Sequence, residues 1–453
     1  IDDYVFYTKE YKKKYGEKTI VLMQVGSFFE LYSITDDTDN EIYKVADICN
    51  ITISKKNKSV VEVNTHNPLM AGFPLYTITK YQNILLQNNY TIVMIEQVTE
   101  PPNPDRKVTE IMSPGMNMNC NTKKTNYLMS IYYEKINNLL VIGISFIDIS
   151  TGKCYVYEIG SNKDDIDLVN NEVFRLIINY NPCEIVFLCD NSLNEKDKEE
   201  ILLNLNLNSI LIHKLWNKYE YIDIMQDIKY QEKILKKVYK SIKTQLSIID
   251  LLNLEFLNFA RISFCYLLQF AYDHNSDILQ DIYRPEILEI NKYLNLEYDS
   301  TLQLNIISLN TNDKPLLDIL NRCNTSFGSR LFKDRLLNPI ICKKELNNRY
   351  DKIELFMNDN LFKKISKKLS KILDLERIKR KITLLKLNPH ELSGFDISLQ
   401  SAKDIFEILK YDNDISKINE IINYYNSIID IDSACKYNIF EIKGSIFKKG
   451  LYK

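Results

Sequence analysis

Apolar positions follow different periods along the chain and divide it into three parts. In residues 1–120, apolar β-rich runs alternate with amphipathic helical stretches, which predicts a mixed α/β domain. In residues 121–229, three successive strands are followed by a helix and a further buried strand. From residue 230 to 453 the apolar residues recur almost wholly at helix period, which predicts an all-α domain.

The individual elements follow from the same pattern. In the first part, strands are expected at 19–26, 28–33, 51–54 and 90–98, with helices at 39–49 and after a capping Thr77. In the second part, strands at 127–133, 139–149 and 154–159 precede a helix at 169–180 and a strand at 184–189, a ribonuclease-H-like layout. In the third part, apolar residues keep helix period over residues 234–252 and over long stretches after Pro315.

Composition narrows the class of protein. The 58 Lys and Arg nearly balance 60 Asp and Glu, which argues against a purely electrostatic, histone-like DNA binder. No stretch approaches the roughly 20 apolar residues that a membrane span needs. Nine Cys without a Cys-x-x-Cys pair, and only four His, give no zinc-site spacing. We therefore expect reduced thiols and an intracellular, non-secreted protein, with the compartment left open.

The strongest candidate site lies in the run Met-Gln-Val-Gly-Ser-Phe-Phe-Glu-Leu-Tyr, residues 23–32. On a strand, Phe28 and Glu30 would face the same way, and Phe29 would be the core residue. An exposed ring can slide between base pairs from the minor groove and kink the duplex. A neighbouring carboxylate can accept a hydrogen bond from an exposed base. The alternative is an ordinary buried strand.

Other charged residues carry weaker signals. Lys55, Lys56, Lys58 and Arg106 are candidate contacts to DNA phosphates, or simply solvated side chains. No residue is assigned a catalytic or metal-binding role.

Three acidic residues, Asp148, Asp374 and Glu376, have simpler structural explanations. Asp148 could bind Mg²⁺ in a ribonuclease-H-like sheet, but the neighbouring strands offer only Glu158 and Glu184 at their margins, so a structural turn is favoured. Asp374 and Glu376 are expected to be solvated helix residues.

Residues 23–32 resemble the Gly-x-Phe-x-Glu element of the MutS family of DNA mismatch-recognition proteins. Six further blocks resemble the same family in the same order: residues 11–16, 70–97, 106–115, 148–152, 316–339 and 373–377. Ser27 and Phe29 replace the commoner Asp and Tyr of the family. Together with the inserted loop at 60–68, they resemble the subfamily of giant viruses and octocoral mitochondria.

The resemblance implies a mismatch-recognition domain at 1–120, a connector at 121–229 and a helical core/lever domain at 230–453 that stops before the clamp. It implies that Phe28 wedges into the minor groove and that Glu30 hydrogen-bonds the unstacked base. The expected partner is double-stranded DNA with mismatches or small loops, and no membrane.

We expect the chain to be a fragment of a longer protein, because it lacks an initiating Met and opens and closes abruptly. The sequence contains no Gly-x-x-x-x-Gly-Lys-Ser/Thr run, so no cofactor is expected within it. The resemblance implies that the full-length protein is an ATPase, uses ATP and Mg²⁺ and forms a homodimeric clamp. Two alternatives stay open: a relative that binds branched recombination intermediates, and a nuclease with its active site in the connector or a downstream domain.

Overall fold

The computed structural model describes most of the chain. The described ranges are residues 1–37, 40–99, 104–119, 123–165, 167–205, 210–214, 219–240, 246–294, 296, 298–308, 313–437 and 444–450. Two compact units are present. The first consists of residues 1–120, 126–169 and 182–286, and the second of residues 121–125, 170–181 and 287–453.

The first unit begins with a six-stranded mixed sheet. Its elements are α1 (Asp2–Tyr15), β1 (Thr19–Val25), β2 (Phe28–Ser33), α2 (Glu41–Cys49), β3 (Ser54–Lys55), β4 (Leu69–Pro74), α3 (Ile78–Gln87), β5 (Thr91–Gln97) and β6 (Arg106–Met112). The strand order is β3-β4-β2-β1-β5-β6, and only β1 and β5 run parallel to each other. Apolar side chains of the central strands are buried together with those of α2 and α3. The predicted mixed α/β architecture is confirmed.

Two local expectations in this sheet were wrong. The strand expected at 51–54 is reduced to the two residues of β3. Thr77 precedes α3, but its hydroxyl donates a hydrogen bond to Pro74 O at 2.7 Å and does not cap the helix. The hydroxyl therefore closes the turn that follows β4.

A second six-stranded sheet follows along the chain. Its elements are β7 (Tyr127–Ile136), β8 (Leu139–Asp148), β9 (Lys153–Gly160), α4 (Leu168–Tyr180), β10 (Glu184–Cys189), α5 (Glu195–Asn204), β11 (Leu211–Lys214) and α6 (Tyr219–Gln226). The first three strands form an antiparallel meander, and β10 pairs in parallel with both β7 and β11. This is the predicted sequence of three antiparallel strands, a helix and a parallel strand.

Helix α7 (Ile228–Val238) packs against α8 (Ile248–Leu251) and α9 (Asn258–His274), and α9 packs on the second sheet. The edge strand β12 (Glu286–Ile287) follows. Ser263 on α9 donates a hydrogen bond to Ser130 O at 2.9 Å, which fastens the helix to β7. The helix period over 234–252 is shared by two helices. Helix α7 ends at Val238, α8 begins after Ser247, and residues 241–245 lie outside the described ranges.

The second unit is helical, as predicted. Its later elements are α10 (Tyr298–Gln303), α11 (Leu316–Leu320), α12 (Ser326–Leu337), α13 (Lys343–Met357), α14 (Leu361–Leu369), α15 (Leu375–Thr383), α16 (Pro389–Leu409), α17 (Asp412–Ile428) and α18 (Ile431–Ala434). Helix α16 begins with a proline and a capping box between Asn388 and Glu391. Within the described ranges, no helix combines the length and apolar character that crossing a bilayer requires.

An ion-pair network joins α12 to the start of α15. The guanidinium of Arg330, whose side chain is only 8% exposed, donates to both Asp374 oxygens at 2.6 and 2.8 Å and to Glu376 Oε2 at 2.6 Å. Burial raises the pKa of Asp374, but Arg330 outweighs this effect and holds the pKa below its ordinary value. The expectation that Asp374 and Glu376 are merely solvated was therefore wrong.

We predict that Arg330→Met lowers the free energy of unfolding by about 3 kcal/mol near pH 7, because Asp374 and Glu376 lose the guanidinium that they share. Asp374 keeps the weaker pair with Arg377 at 3.6 Å. The deficit should shrink as the pH falls through the lowered folded pKa of Asp374, since the wild type then loses the pair as well. Urea unfolding of the 453-residue chain measures the change. Arg349→Met is the control. Its partner Glu345 on the same helix is 54% exposed, so its loss should cost less than about 1 kcal/mol. Equal losses in the two variants would contradict the account.

Candidate nucleic-acid interface

The candidate site starts at a tight hairpin between β1 and β2. Val25 and Phe28 form the last cross-strand pair, which leaves Gly26 and Ser27 as a two-residue turn. Gly26 has φ +58°, a positive value that glycine adopts without steric cost at this place in a hairpin. The turn therefore fixes Phe28 as the first residue of the returning strand.

Strand β2 alternates between the two faces of the sheet. Phe29 is 2% exposed and lies in the core with Leu31, whereas Phe28 is 44% exposed. The expected division between a core aromatic and an exposed neighbour is thus confirmed for burial. It leaves an aromatic ring in contact with solvent at the end of the sheet.

The side chain of Glu30 lies over a gap in the neighbouring strand. Glu30 pairs with Gly72 of β4, where an added Cβ would lie 3.1 Å from Glu30 Cγ and 2.7 Å from Phe29 O. The Tyr32 hydroxyl donates to Glu30 Oε2; burial and this hydrogen bond together raise the pKa of Tyr32. Glu30 Oε1 has no hydrogen-bond partner among the described residues, so it is available to accept one from a ligand.

Arg106 lies at the same end of the sheet. Its Nε donates to Gln24 O at 3.2 Å, and the Gln24 side chain donates to Gly26 O at 3.2 Å and accepts from Gln97 N at 3.0 Å. The guanidinium charge also acts on Tyr32 and opposes the rise of its pKa. The structure therefore places Arg106 at the same end of the sheet as Phe28, with its side chain bonded to the backbone of β1.

The basic loop lies at the other end of the same strands. Phe28 pairs with Pro74, whereas Ser33 and Lys55 both pair with Leu69. At about 3.3 Å per residue, this register separates Phe28 from the start of the loop by about 16 Å. Lys56 and Lys58 are exposed, and Lys55 Nζ donates to Val61 O at 2.6 Å. The three lysines and Phe28 therefore cannot contact the same base step.

Tyr76 is a candidate that the sequence pattern did not indicate. Its side chain is 61% exposed, and it follows Pro74, the cross-strand partner of Phe28. Leu75 N donates to Ser27 O at 3.0 Å, which ties this turn to the β1–β2 hairpin. The only available signal was that an aromatic residue follows the glycine-proline turn.

The acidic residues of the second sheet have separate structural roles. Asp148 is buried and accepts hydrogen bonds from Ser150 N at 2.9 Å and Ser150 Oγ at 2.5 Å, as expected for a turn residue. Glu158 accepts from the first backbone amides of α9, at Phe259 and Ala260. In the part of the chain that the structure describes, no three His, Cys, Asp or Glu side chains are grouped to hold a metal ion.

Comparison with known proteins agrees with this architecture. Residues 5–120 match the family model MutS domain I, and residues 294–440 match MutS domain III. The chain belongs to the MutS family.

Three relatives illustrate the similarity. A DNA mismatch repair protein MutS homolog of Acanthamoeba polyphaga mimivirus is 29% identical across 99% of this chain and 44% of its own length. The DNA mismatch repair protein MutS of Caldanaerobacter subterraneus is 28% identical across 88% of this chain and 43% of its own. The mitochondrial DNA mismatch repair protein MutS homolog of the octocoral Sarcophyton glaucum is 26% identical across 78% and 40%. The chain therefore spans less than half the length of these relatives, and it belongs with the giant-virus and octocoral group.

We predict that Gly72→Ala destabilises the first sheet by about 1–3 kcal/mol, because the new methyl group would press on the β2 backbone. Thermal unfolding of the 453-residue chain measures the loss. Gly160→Ala is the control, since an added Cβ there has only ordinary contacts at 3.4 Å or more. If Gly72→Ala were as stable as the control, Glu30 would not be held by close packing against β4.

Proposed function

We propose that this chain is the mismatch-recognition part of a longer DNA mismatch repair protein. The observation that carries the proposal is the placement of Phe28 on β2, exposed beside Glu30 while Phe29 is buried. Membership of the MutS family and the names of the relatives support it.

Phe28 acts as the wedge in this proposal. Its ring enters the minor groove and separates two stacked base pairs, which kinks the duplex. A mispair opens more easily than a Watson–Crick pair, so the energy required for unstacking is smaller at a mismatch. The protein thus selects DNA that is easy to deform and needs little direct reading of base sequence.

Glu30 recognises the unstacked base. Its free Oε1 accepts a hydrogen bond from a base edge, while Tyr32 holds the other carboxylate oxygen. Arg106 offsets part of the repulsion between this carboxylate and the DNA phosphates. Lys55, Lys56 and Lys58, at the other end of the strands, contact phosphates at a distance from the wedge.

The ATP-driven steps are assigned to a longer protein. We infer that the full-length protein is an ATP- and Mg²⁺-dependent homodimeric clamp whose nucleotide site lies outside residues 1–453. The greater length of the relatives supports this inference, as does the lack of a P-loop run in this sequence. The chain's own contribution is to bind and kink the mismatched duplex.

We predict that Phe28→Ala in the full-length protein abolishes the preference for a mismatched duplex and leaves weak binding to matched duplex nearly unchanged. Base–aromatic stacking is worth about 1–3 kcal/mol, so the loss of one ring can remove most of a modest preference. Titrations of matched and mismatched duplexes at one fixed salt concentration measure the two affinities.

Two further variants make the test specific. Phe256→Ala removes another exposed aromatic ring, 85% exposed between α8 and α9, and should leave discrimination unchanged. Phe29→Leu should lower thermal stability and spare discrimination in the folded protein, because Phe29 faces the core. A Phe28→Ala protein that discriminates as well as the wild type would show that the wedge assignment is wrong.

A further inference from the structure

A fully buried carboxylate lies where the first sheet meets the second. Glu184, the first residue of β10, is 0% exposed. Its Oε2 accepts hydrogen bonds from Ser113 Oγ at 2.6 Å and from Gly115 N at 2.8 Å, and its Oε1 lies 2.6 Å from His213 Nε2. A charge in the protein interior requires such a set of partners.

The groups around Glu184 come from different parts of the first unit. Ser113 and Gly115 belong to the segment that leaves β6, the last strand of the first sheet. Glu184 and His213 belong to β10 and β11 of the second sheet. The carboxylate therefore connects the two sheets through hydrogen bonds.

We call the contact of Glu184 with Ser113, Gly115 and His213 the joint, and its atoms are closely packed. A Cβ added to Gly115 would lie 2.7 Å from Glu184 Oε2 and 2.9 Å from Leu128 Cβ. The backbone at Gly115 therefore lies directly on the carboxylate, and a larger residue at this position would displace the carboxylate.

Electrostatics keep Glu184 ionised. Burial raises the pKa of Glu184, but the hydrogen bond and charge of His213 and the hydrogen bond of Ser113 outweigh this effect and lower it. An ionised carboxylate can only accept, so Ser113 Oγ and His213 Nε2 donate. Such charge-assisted hydrogen bonds are stronger than those between neutral groups.

Near the joint, the helices α1 and α9 also contact each other, through two rings that share no hydrogen bond. Tyr15 of α1 packs on His274 of α9 with ring centroids 5.0 Å apart. Tyr15 Oη and His274 Nε2 have no hydrogen-bond partner among the described protein groups. Beside this ring contact, Asn275 Nδ2 at the end of α9 donates to Glu110 Oε1 on β6 at 2.9 Å, so side-chain hydrogen bonds hold β6 both here and at Glu184.

Strand β6 connects the joint to the wedge. Arg106 is the first residue of β6 and lies at the Phe28 end of the sheet, whereas Ser113 directly follows the last residue. The strand therefore spans about 23 Å between the two sites at 3.3 Å per residue. β6 is paired with β5 along its length except at one bulge at Thr109, so a change of angle at Ser113 is carried along the strand to the Phe28 end of the sheet.

We propose that Glu184 is a positioning residue that holds the first sheet, and with it the Phe28 hairpin, in a fixed orientation on the second sheet. The proposal rests on the proposed function of Phe28. A fixed orientation reduces the freedom that the wedge would otherwise lose when it enters DNA. Weak binding to matched duplex does not depend on the wedge and therefore does not depend on the joint.

Two variants test the proposal at different strengths. Ser113→Ala removes one hydrogen bond from the carboxylate and leaves its volume unchanged. Glu184→Gln can retain the shape: the Gln carbonyl accepts from Ser113 and Gly115, while its amide donates to a neutral His213 tautomer. We therefore expect Ser113→Ala to loosen the contact clearly and Glu184→Gln to loosen it less or not at all.

Hydrogen exchange of the 453-residue chain without DNA is the first measurement. Exchange of the Gly115 amide should become about tenfold faster in Ser113→Ala, the effect expected for one lost hydrogen bond. Exchange in β5 should not change, which shows that the sheet stays folded. Unchanged exchange at Gly115 would overturn the proposed joint.

Mismatch discrimination by the full-length protein is the second measurement. Ser113→Ala should reduce discrimination several-fold with matched-duplex affinity unchanged, and should have no further effect in a Phe28→Ala background. If Phe28→Ala abolishes discrimination and Ser113→Ala has no effect, the joint proposal fails and the proposed function stands. If Phe28→Ala itself has no effect, the proposed function fails, whatever the exchange result.

Discussion

The register of β2 between β1 and β4 is the constraint on which the rest of the site depends. Because side chains alternate between faces, a slip of one residue would bury Phe28 and expose Phe29. The two-residue turn at Gly26 and the pairing of Glu30 with Gly72 oppose such a slip from either side of the strand. An exposed aromatic ring is unfavourable in water, and the buried residues of the same strand compensate for it.

Charge is arranged locally and not over the whole chain. A net charge of −2 gives little general attraction to DNA, so binding must depend on particular groups. Phe28, Glu30 and Arg106 lie at one end of the sheet, and the lysine loop lies about 16 Å away along the strands. This arrangement suits a protein that holds the duplex at one place and deforms it at another.

The sequence predicted best those features that depend on neighbouring residues. Alternation in β2 predicted which of Phe28 and Phe29 is exposed, and the apolar run of β10 predicted a buried strand. Contacts between distant residues were missed. Arg330 lies 44 positions before Asp374, and no local pattern indicates that they pair. The break after Val238 was missed because apolar residues keep helix period across it. The DNA-binding roles of the site residues depend on a ligand, so they remain predictions.

The central claim is that Phe28 unstacks a mispaired base step, and a fluorescent base analogue tests it most directly. A 2-aminopurine placed beside the mispair is quenched while it is stacked and becomes brighter when it is unstacked. The account predicts a rise in fluorescence when the full-length protein binds the mismatched duplex, and no rise with matched duplex or with Phe28→Ala. Tight binding of the mismatched duplex without any rise, or an equal rise with the Phe28→Ala protein, would contradict it.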